Sequence, residues 1–312
     1  MDNSNLRIGY VPEHFSTPLH FAKQYYGLNA QLIPFPSGTG HMITAIRAGE
    51  IDIGIGLTEA WVAGLGKEDS PGDAGYRIVG TYVETPLCWA ISTGSQRPEI
   101  SSTETLKGRK IGISRPGSGS QVMGYVLADQ QGWLQPQSPQ TQPPFSGFIP
   151  LQNFENLRRA VNDGTADFFM WEHFTSKKYY DNGEIRRVGE IYTPWSSWKI
   201  VASTALVKDH QDVLKDVFAK LDKGVDFFER HHDEVVKYVS TNLDYSAEDA
   251  AEWLRTVRFS ARTEGVDVEV VIKCIDILKK AGVLKDGEDR KTEWMAKEML
   301  FNGLAAQHPL NE

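Results

Sequence analysis

The chain has 312 residues, with 33 basic against 41 acidic side chains and a formal net charge of -8. That length predicts two domains at about 150 residues each, and the acidic balance, with no basic block, excludes a nucleic-acid-binding footprint. No run reaches the ~18 apolar residues that span a bilayer, so insertion of a helix into a membrane is not expected.

Taken in chain order, Leu6–Val11 reads as a strand, Leu19–Tyr26 as a helix, Ala30–Phe35 as a strand and Met42–Ala48 as a helix. Ile51–Ile55 is again a strand, Glu59–Leu65 a short helix and Tyr76–Val83 a strand. Strands separated by helical stretches of this length predict parallel βαβ units. A second set follows. Leu87–Ile91 and Lys110–Ser114 are strands, Gln121–Gln131 a helix, and Gln135–Pro144 a polar loop. Phe154–Val161 is a helix, and Ala166–Met170 and Ile185–Ile191 are strands. Beyond Lys199–Val207 the pattern turns helical: Val213, Leu214, Val217, Phe218, Leu221, Val225 and Phe228 fall at helical spacing. Ser246-Ala247-Glu248-Asp249 opens a further helix as a capping box, and Val268–Leu278 and Trp294–Leu300 supply two more.

The two sets echo each other. Ala45, Gly49 and Asp52 recur as Ala160, Gly164 and Asp167 at one constant offset, within Ala45-Ile46-Arg47-Ala48-Gly49-Glu50-Ile51-Asp52 and Ala160-Val161-Asn162-Asp163-Gly164-Thr165-Ala166-Asp167. The pattern is a helix end, a left-handed glycine and an immediate strand. Ile8-Gly9 pairs with Ile111-Gly112 and Tyr26-Gly27-Leu28 with Gln131-Gly132-Trp133. Two lobes of similar βαβαβ design explain this best. The two cysteines, Cys88 and Cys274, both lie in apolar runs and read as buried free thiols. Met1–Asn5 leads straight into a strand with no positive and apolar leader, so a cytoplasmic setting is expected.

Gly9-Tyr10-Val11, then Ser37-Gly38-Thr39-Gly40 at a helix start, then Ala48-Gly49-Glu50-Ile51-Asp52-Ile53-Gly54, together resemble substrate-binding proteins of ABC transporters. The subgroup handles nitrate, sulfonates, taurine and thiamine precursors. Leu106-Lys107-Gly108-Arg109-Lys110-Ile111-Gly112 is similar to the family's opening of its second lobe, and the resemblance runs over about residues 6 to 285. It implies the type II periplasmic-binding-protein fold: α/β, two βαβ lobes on a two-strand hinge, with a helical C-terminal region. Lobe 1 would then comprise residues 1–88 and 203–312, and lobe 2 the inserted residues 89–202, with crossings near Glu84–Trp89 and Trp198–Thr204. Lacking an export signal or lipidated cysteine, the chain is more similar to stand-alone fungal-type relatives, which include thiamine pyrimidine synthase. That enzyme's cysteine-rich iron motif has no counterpart here, so its chemistry is not expected.

Open α/β sheets bind ligands beyond the carboxyl ends of their strands, which selects the candidate residues. After the first strand stands His14, which either donates to a ligand or stacks with Phe15, or else is solvent-exposed. Ser37, Gly38 and Thr39 open a helix, where converging backbone N–H groups and the helix dipole favour an anion, or where Thr39 is a plain cap. Ser118, Gly119 and Ser120 do the same in the second set, and no Gly-Lys-Ser/Thr makes this a P-loop. Thr58 and Glu59 follow the third strand, with Glu59 either a ligand contact or a first-turn acid. Trp171 and Glu172 follow the echoed strand, where the indole offers a flat face for a planar ligand. Trp195, in Pro194-Trp195-Ser196-Ser197-Trp198, sits at the expected hinge as ligand contact or core.

His231-His232-Asp233-Glu234 is not a metal site, because adjacent helical residues point about 100° apart. His20 and His173 have no partner at ligand spacing, and no nucleophile elbow is present. No cofactor, no metal ligand and no catalytic residue is therefore expected. The leading reading is a module that closes on a small ligand, a sulfonate, a nitrate-like anion or a pyrimidine-like heterocycle, with a transporter as candidate partner. The rival is an enzyme of thiamine-precursor or related heterocycle metabolism on the same fold, which fold alone does not separate.

Overall fold

The computed structural model describes residues 6–68, 71–134 and 142–303. Met1–Asn5 and residues 135–141 of the expected polar loop lie outside them. In chain order the elements begin β1 (Arg7–Tyr10), α1 (Thr17–Tyr26), β2 (Gln31–Pro34), α2 (Thr39–Arg47), β3 (Ile53–Leu57), α3 (Thr58–Gly66) and β4 (Tyr76–Val83). There follow β5 (Cys88–Gly94), β6 (Lys110–Ile113), α4 (Gly119–Gln130), β7 (Gly147–Pro150), α5 (Phe154–Asp163), β8 (Phe168–Glu172), α6 (His173–Asp181) and β9 (Ile185–Tyr192). The chain continues with β10 (Trp198–Ser203), α7 (Thr204–Asp209), α8 (Gln211–Arg230), α9 (His232–Asn242), α10 (Ala247–Leu254), α11 (Val268–Lys280) and α12 (Thr292–Met299). Among the described residues no helix is long and apolar enough to cross a membrane.

These strands form two five-stranded sheets of one design, in the orders β2-β1-β3-β10-β4 and β7-β6-β8-β5-β9. In the first sheet β1 is parallel to β2 and β3, and β10 is antiparallel to β3 and β4. In the second, β6 is parallel to β7 and β8, and β5 is antiparallel to β8 and β9. Position by position, β1-α1-β2-α2-β3-α3 corresponds to β6-α4-β7-α5-β8-α6.

The echo in the sequence is what builds this repeat. Gly49 and Gly164 take the left-handed conformation, with φ of 69° and 82°, at the ends of α2 and α5. Asp52 then takes the Arg7 N–H on Oδ2 at 2.9 Å, and Asp167 takes the Lys110 N–H on Oδ2 at 2.8 Å. An arginine closes each: Arg7 Nη2 stands 2.8 Å from Asp52 Oδ1, and Arg97 Nη2 stands 2.6 Å from Asp167 Oδ1. Asp52 thus clamps β3 to β1 and Asp167 clamps β8 to β6, which explains why Gly and Asp recur together.

The chain divides into one unit of residues 1–85, 195–275 and 286–312 and another of residues 86–194 and 276–285. The return lies earlier than the expected Trp198–Thr204 crossing. Residues 195–202, read as part of the inserted lobe, sit with the first sheet, because β10 pairs from Trp198 onward with Leu57 and Val83. The division also falls inside α11, so residues 276–285 go with the second unit, whereas the whole C-terminal region was expected in the first. In the first unit, α8 crosses α1 at Gly224, where a Cβ would lie 2.3 Å from the Pro18 carbonyl oxygen. In the second, Leu157, Val161, Phe169 and Ile185 form a buried cluster between α5 and the sheet.

Candidate ligand-binding site

In the first unit the ends of β1, β2 and β3 carry the residues expected there. Gly38, φ 76°, caps α2 with no side-chain bond, and α2 has no acidic residue in its first turn. A Cβ at Gly38 or Gly40 would meet nothing within 4 Å, so space opens over the first N–H groups of the helix. Ser37 is half-buried beside them. Thr39 is buried, and its Oγ1 accepts the Leu57 N–H at 2.9 Å, tying α2 to β3 in place of capping the helix. Gly56 is glycine for that reason: a Cβ there would stand 2.7 Å from the Thr39 hydroxyl.

Thr58 and Glu59 begin α3. Thr58 donates through Oγ1 to the Ser196 carbonyl at 2.6 Å, anchoring the segment that precedes β10. Glu59 is 0% exposed, and its Oε2 accepts the Trp195 indole N–H at 3.0 Å, while Oε1 meets no hydrogen-bond partner among the described residues. Burial pushes its carboxyl up to about 7, against the pull of its own backbone N–H and of Trp195. Two residues picked out separately in the sequence therefore form one buried pair. His14 is not solvent-exposed. It is 1% exposed, ringed by Phe15, Tyr245 and Trp253 at centroid distances of 4.4, 4.5 and 4.3 Å, and burial lowers its pKa well below the usual histidine value.

Lys199, absent from the sequence-based candidates, is 1% exposed on β10 and donates to Ser196 Oγ at 2.6 Å and Thr81 Oγ1 at 3.0 Å. Burial lowers its pKa to about 8, partly offset by Asp267 and Glu84. The signal was in plain view, a lysine inside the apolar strand Trp198-Lys199-Ile200-Val201-Ala202.

In the second unit the loop from β6 to α4 ends in a knot of hydroxyls. Ser120 Oγ accepts the Ser114 N–H at 3.0 Å and lies 2.9 Å from Ser118 Oγ. Gly117 donates to Gln121 Oε1 at 2.6 Å with φ at 81°, turning the loop into the helix. Ser118, Gly119 and Ser120 are buried, and α4, like α2, has no side-chain cap bond and no acidic residue in its first turn. The two loops are not equivalent in the repeat: Gly38 follows β2, whereas Ser118 follows β6, the counterpart of β1. Glu172 is the N-cap of α6, its Oε2 accepting from Thr175 N and Oγ1 at 2.7 and 2.9 Å, and burial raises its carboxyl to about 7. Trp171 does not stand clear as a flat apolar face. It stacks on Phe154 at 5.2 Å and 21° and packs on the core cluster.

The cysteines and one histidine also depart from the sequence reading. Cys274 is buried but Cys88 is only half-buried. Cys88, His173 and Glu190 come together with one donor atom each within 4.8 Å of the others, a grouping that linear spacing hid.

Two parallel-stranded βαβαβ halves, each extended by an antiparallel fourth strand and closed by a fifth, with open helix starts at the strand ends, define a periplasmic-binding-protein fold of type II. The model of the Ca3427-like PBP family matches residues 89–191. The chain is 40% identical to the Candida albicans CA3427 gene product, which defines a family with the generic periplasmic-binding-protein fold, over 98% of this chain and 99% of that one, TM-score 0.85. The chain belongs to this Ca3427-like family. The alkanesulfonate-binding protein SsuA from Xanthomonas axonopodis pv. citri, bound to MOPS, shares the fold at 18% identity over 91% of this chain and 95% of that one, TM-score 0.70. So does the nitrate-binding protein NrtA from Synechocystis PCC 6803, at 11% identity over 96% and 87%, TM-score 0.69. Among curated proteins none matches the chain.

Proposed function

We propose that the protein is a binding protein for a small anionic or strongly polar molecule, held by closure of its two units without any bond being made or broken. The observation that carries this reading is the bare start of α2, where Gly38 and Gly40 leave the first N–H groups uncovered and the first turn of the helix holds no acidic residue. A helix start carries about half a positive charge and up to four unpaired donors. The Ser118–Ser120 loop at α4 offers the same acid-free helix start with hydroxyls beside it. Fold relatives named for alkanesulfonate and nitrate binding support the anionic class.

The test begins with mass spectrometry of small molecules released from the purified protein. Calorimetry follows with an alkanesulfonate, nitrate and a phosphorylated aminopyrimidine as probes. Gly40→Leu is the decisive variant, since Gly40 has open space and ordinary backbone angles. Leucine there should hold or raise stability by up to about 1 kcal/mol, yet block backbone approach and weaken binding at least ~10-fold, a cost of about 1.4 kcal/mol. Ser118→Ala and Ser120→Ala should each weaken binding by ~1 kcal/mol. A Gly40→Leu protein that binds its ligand as tightly as the parent would overturn the placement of the site.

A further inference from the structure

Three donors of different chemistry meet at one end of the second sheet. Cys88 is the first residue of β5, Glu190 lies on β9, and His173 opens α6 directly after β8. β5 is hydrogen-bonded on one side to β8, with Trp89 opposite Glu172, and on the other to β9, with Cys88 opposite Tyr192 and Ala90 opposite Glu190. Three neighbouring strands thus deliver the donors, and two of the three backbone positions are fixed by ladder hydrogen bonds. The thiol, an imidazole nitrogen and a carboxylate oxygen lie within 4.8 Å of one another, and Cys88 Sγ donates to Glu190 Oε2 at 3.4 Å.

We propose that Cys88, His173 and Glu190 form a binding site for one zinc ion or a closely similar borderline divalent metal, with a fourth position open to water or an exogenous ligand. A thiolate, imidazole and carboxylate set suits zinc and is too soft for magnesium or calcium. Tetrahedral zinc with bonds of about 2.0–2.3 Å sets its donors ~3.5 Å apart; Cys88 Sγ and Glu190 Oε2 already stand at 3.4 Å, so the His173 nitrogen need close on them by no more than roughly 1 Å. Glu190 is exposed and can swing on its own torsions, whereas Cys88 and His173 are half-buried on regular elements. In the metal-free arrangement the Glu190 carboxylate is ion-paired with Arg187 and accepts from the Tyr192 hydroxyl at 3.4 Å. That exposed ion pair contributes little in water, and the metal displaces it. Burial holds the Cys88 thiol above its ordinary pKa while Tyr192 and Arg187 oppose this. Binding therefore releases the thiol proton to solvent as the sulfur–metal bond forms. The site lies within one unit and does not depend on the ligand reading above.

The experiment is titration of the full-length, untagged protein with Co2+ followed by Zn2+, without added chelator. One equivalent of Co2+ should produce thiolate-to-cobalt charge-transfer absorption in the near ultraviolet and the visible bands of four-coordinate cobalt, and Zn2+ should abolish both. Cys88→Ser should remove the charge-transfer band, and His173→Ala and Glu190→Gln should each weaken binding at least ~10-fold. Arg187→Ala should tighten it by freeing the carboxylate. Cys274→Ser, altering the thiol buried in the other unit, should change nothing. Thermal unfolding of each variant shows that it is folded. Cobalt uptake without the charge-transfer band, or a band that survives in folded Cys88→Ser, would assign the metal to other side chains and overturn the proposal, as would no uptake at all.

Discussion

Glu59 and Glu172 each bury a carboxyl whose pKa is raised to about 7, and the sign of the effect on stability follows from that. An unfolded glutamate releases its proton near pH ~4.3, whereas the folded chain keeps it up to about pH 7. The contribution is full below the unfolded value and is lost as pH rises through the folded one, up to about 3 kcal/mol per group. Glu59→Gln should therefore lose less stability than the parent between pH 5 and 8, measured by urea unfolding across that range. Parallel curves for the two proteins would mean that Glu59 ionises as an ordinary carboxylate. None of this burial was legible in the sequence. Glu59 reads as a common first-turn acid, and its partner Trp195 lies 136 residues away. His14 misled for the same reason, since Tyr245 and Trp253, which enclose it, come from the far end of the chain.

Elements were easier to read than side chains where a local rule specifies them. The alternating helices and strands of each half, the left-handed glycines after α2 and α5, and the Ser246 cap of α10, whose Oγ accepts the Asp249 N–H at 3.0 Å, all followed from near neighbours. β7 was missed because Gly147-Phe148-Ile149-Pro150 is short, sits at a sheet edge and carries both a glycine and a proline. α6 escaped because His173-Phe174-Thr175-Ser176-Lys177-Lys178 shows no apolar periodicity, and α9 because its two leading histidines drew a different question. The aspartate clamps give a prediction at this scale. Asp52→Ala and Asp167→Ala each remove a backbone acceptor and an arginine partner, and should cost about 2–4 kcal/mol by denaturant unfolding. A loss under ~1 kcal/mol in both would show that the clamp is dispensable. Gly224→Ala offers a contrast. Helix propensity alone would raise stability by about 1 kcal/mol, but the added methyl meets the Pro18 carbonyl, so a net loss is expected in the same measurement.

The whole molecule repeats one architecture, and the strength of that repeat made the fold legible while leaving the site obscure. Glycine and aspartate recur because both sheets need the same turn and clamp, whereas the open helix starts fall at different places in the two halves. One consequence concerns independence. All five strands of the second sheet, β5 to β9, lie in the single segment 86–194, whereas the first sheet needs β10 from beyond it. An isolated 86–194 fragment should therefore fold cooperatively, with lower stability for want of residues 276–285. Circular dichroism and urea unfolding test this, and a broad transition without a folded baseline would refute it.

The placement of β10 between β3 and β4 has a further consequence during synthesis on the ribosome. When residues 76–83 emerge, β4 has no neighbour in its own sheet, and β3 presents an open apolar edge, Ile53-Gly54-Ile55-Gly56-Leu57. Neither can close until residue 203 has been made, and by then the second sheet is already complete. β1, β2 and β3 can pair with one another as they emerge, but the outer edge of β3 and the whole of β4 wait unpaired through more than a hundred residues of elongation. At about 5–20 residues per second that interval lasts roughly 5–25 s, ample time for edge-to-edge association between neighbouring nascent chains. Chaperone demand should accordingly fall on the N-terminal quarter of this protein, the part that the sequence renders most plainly.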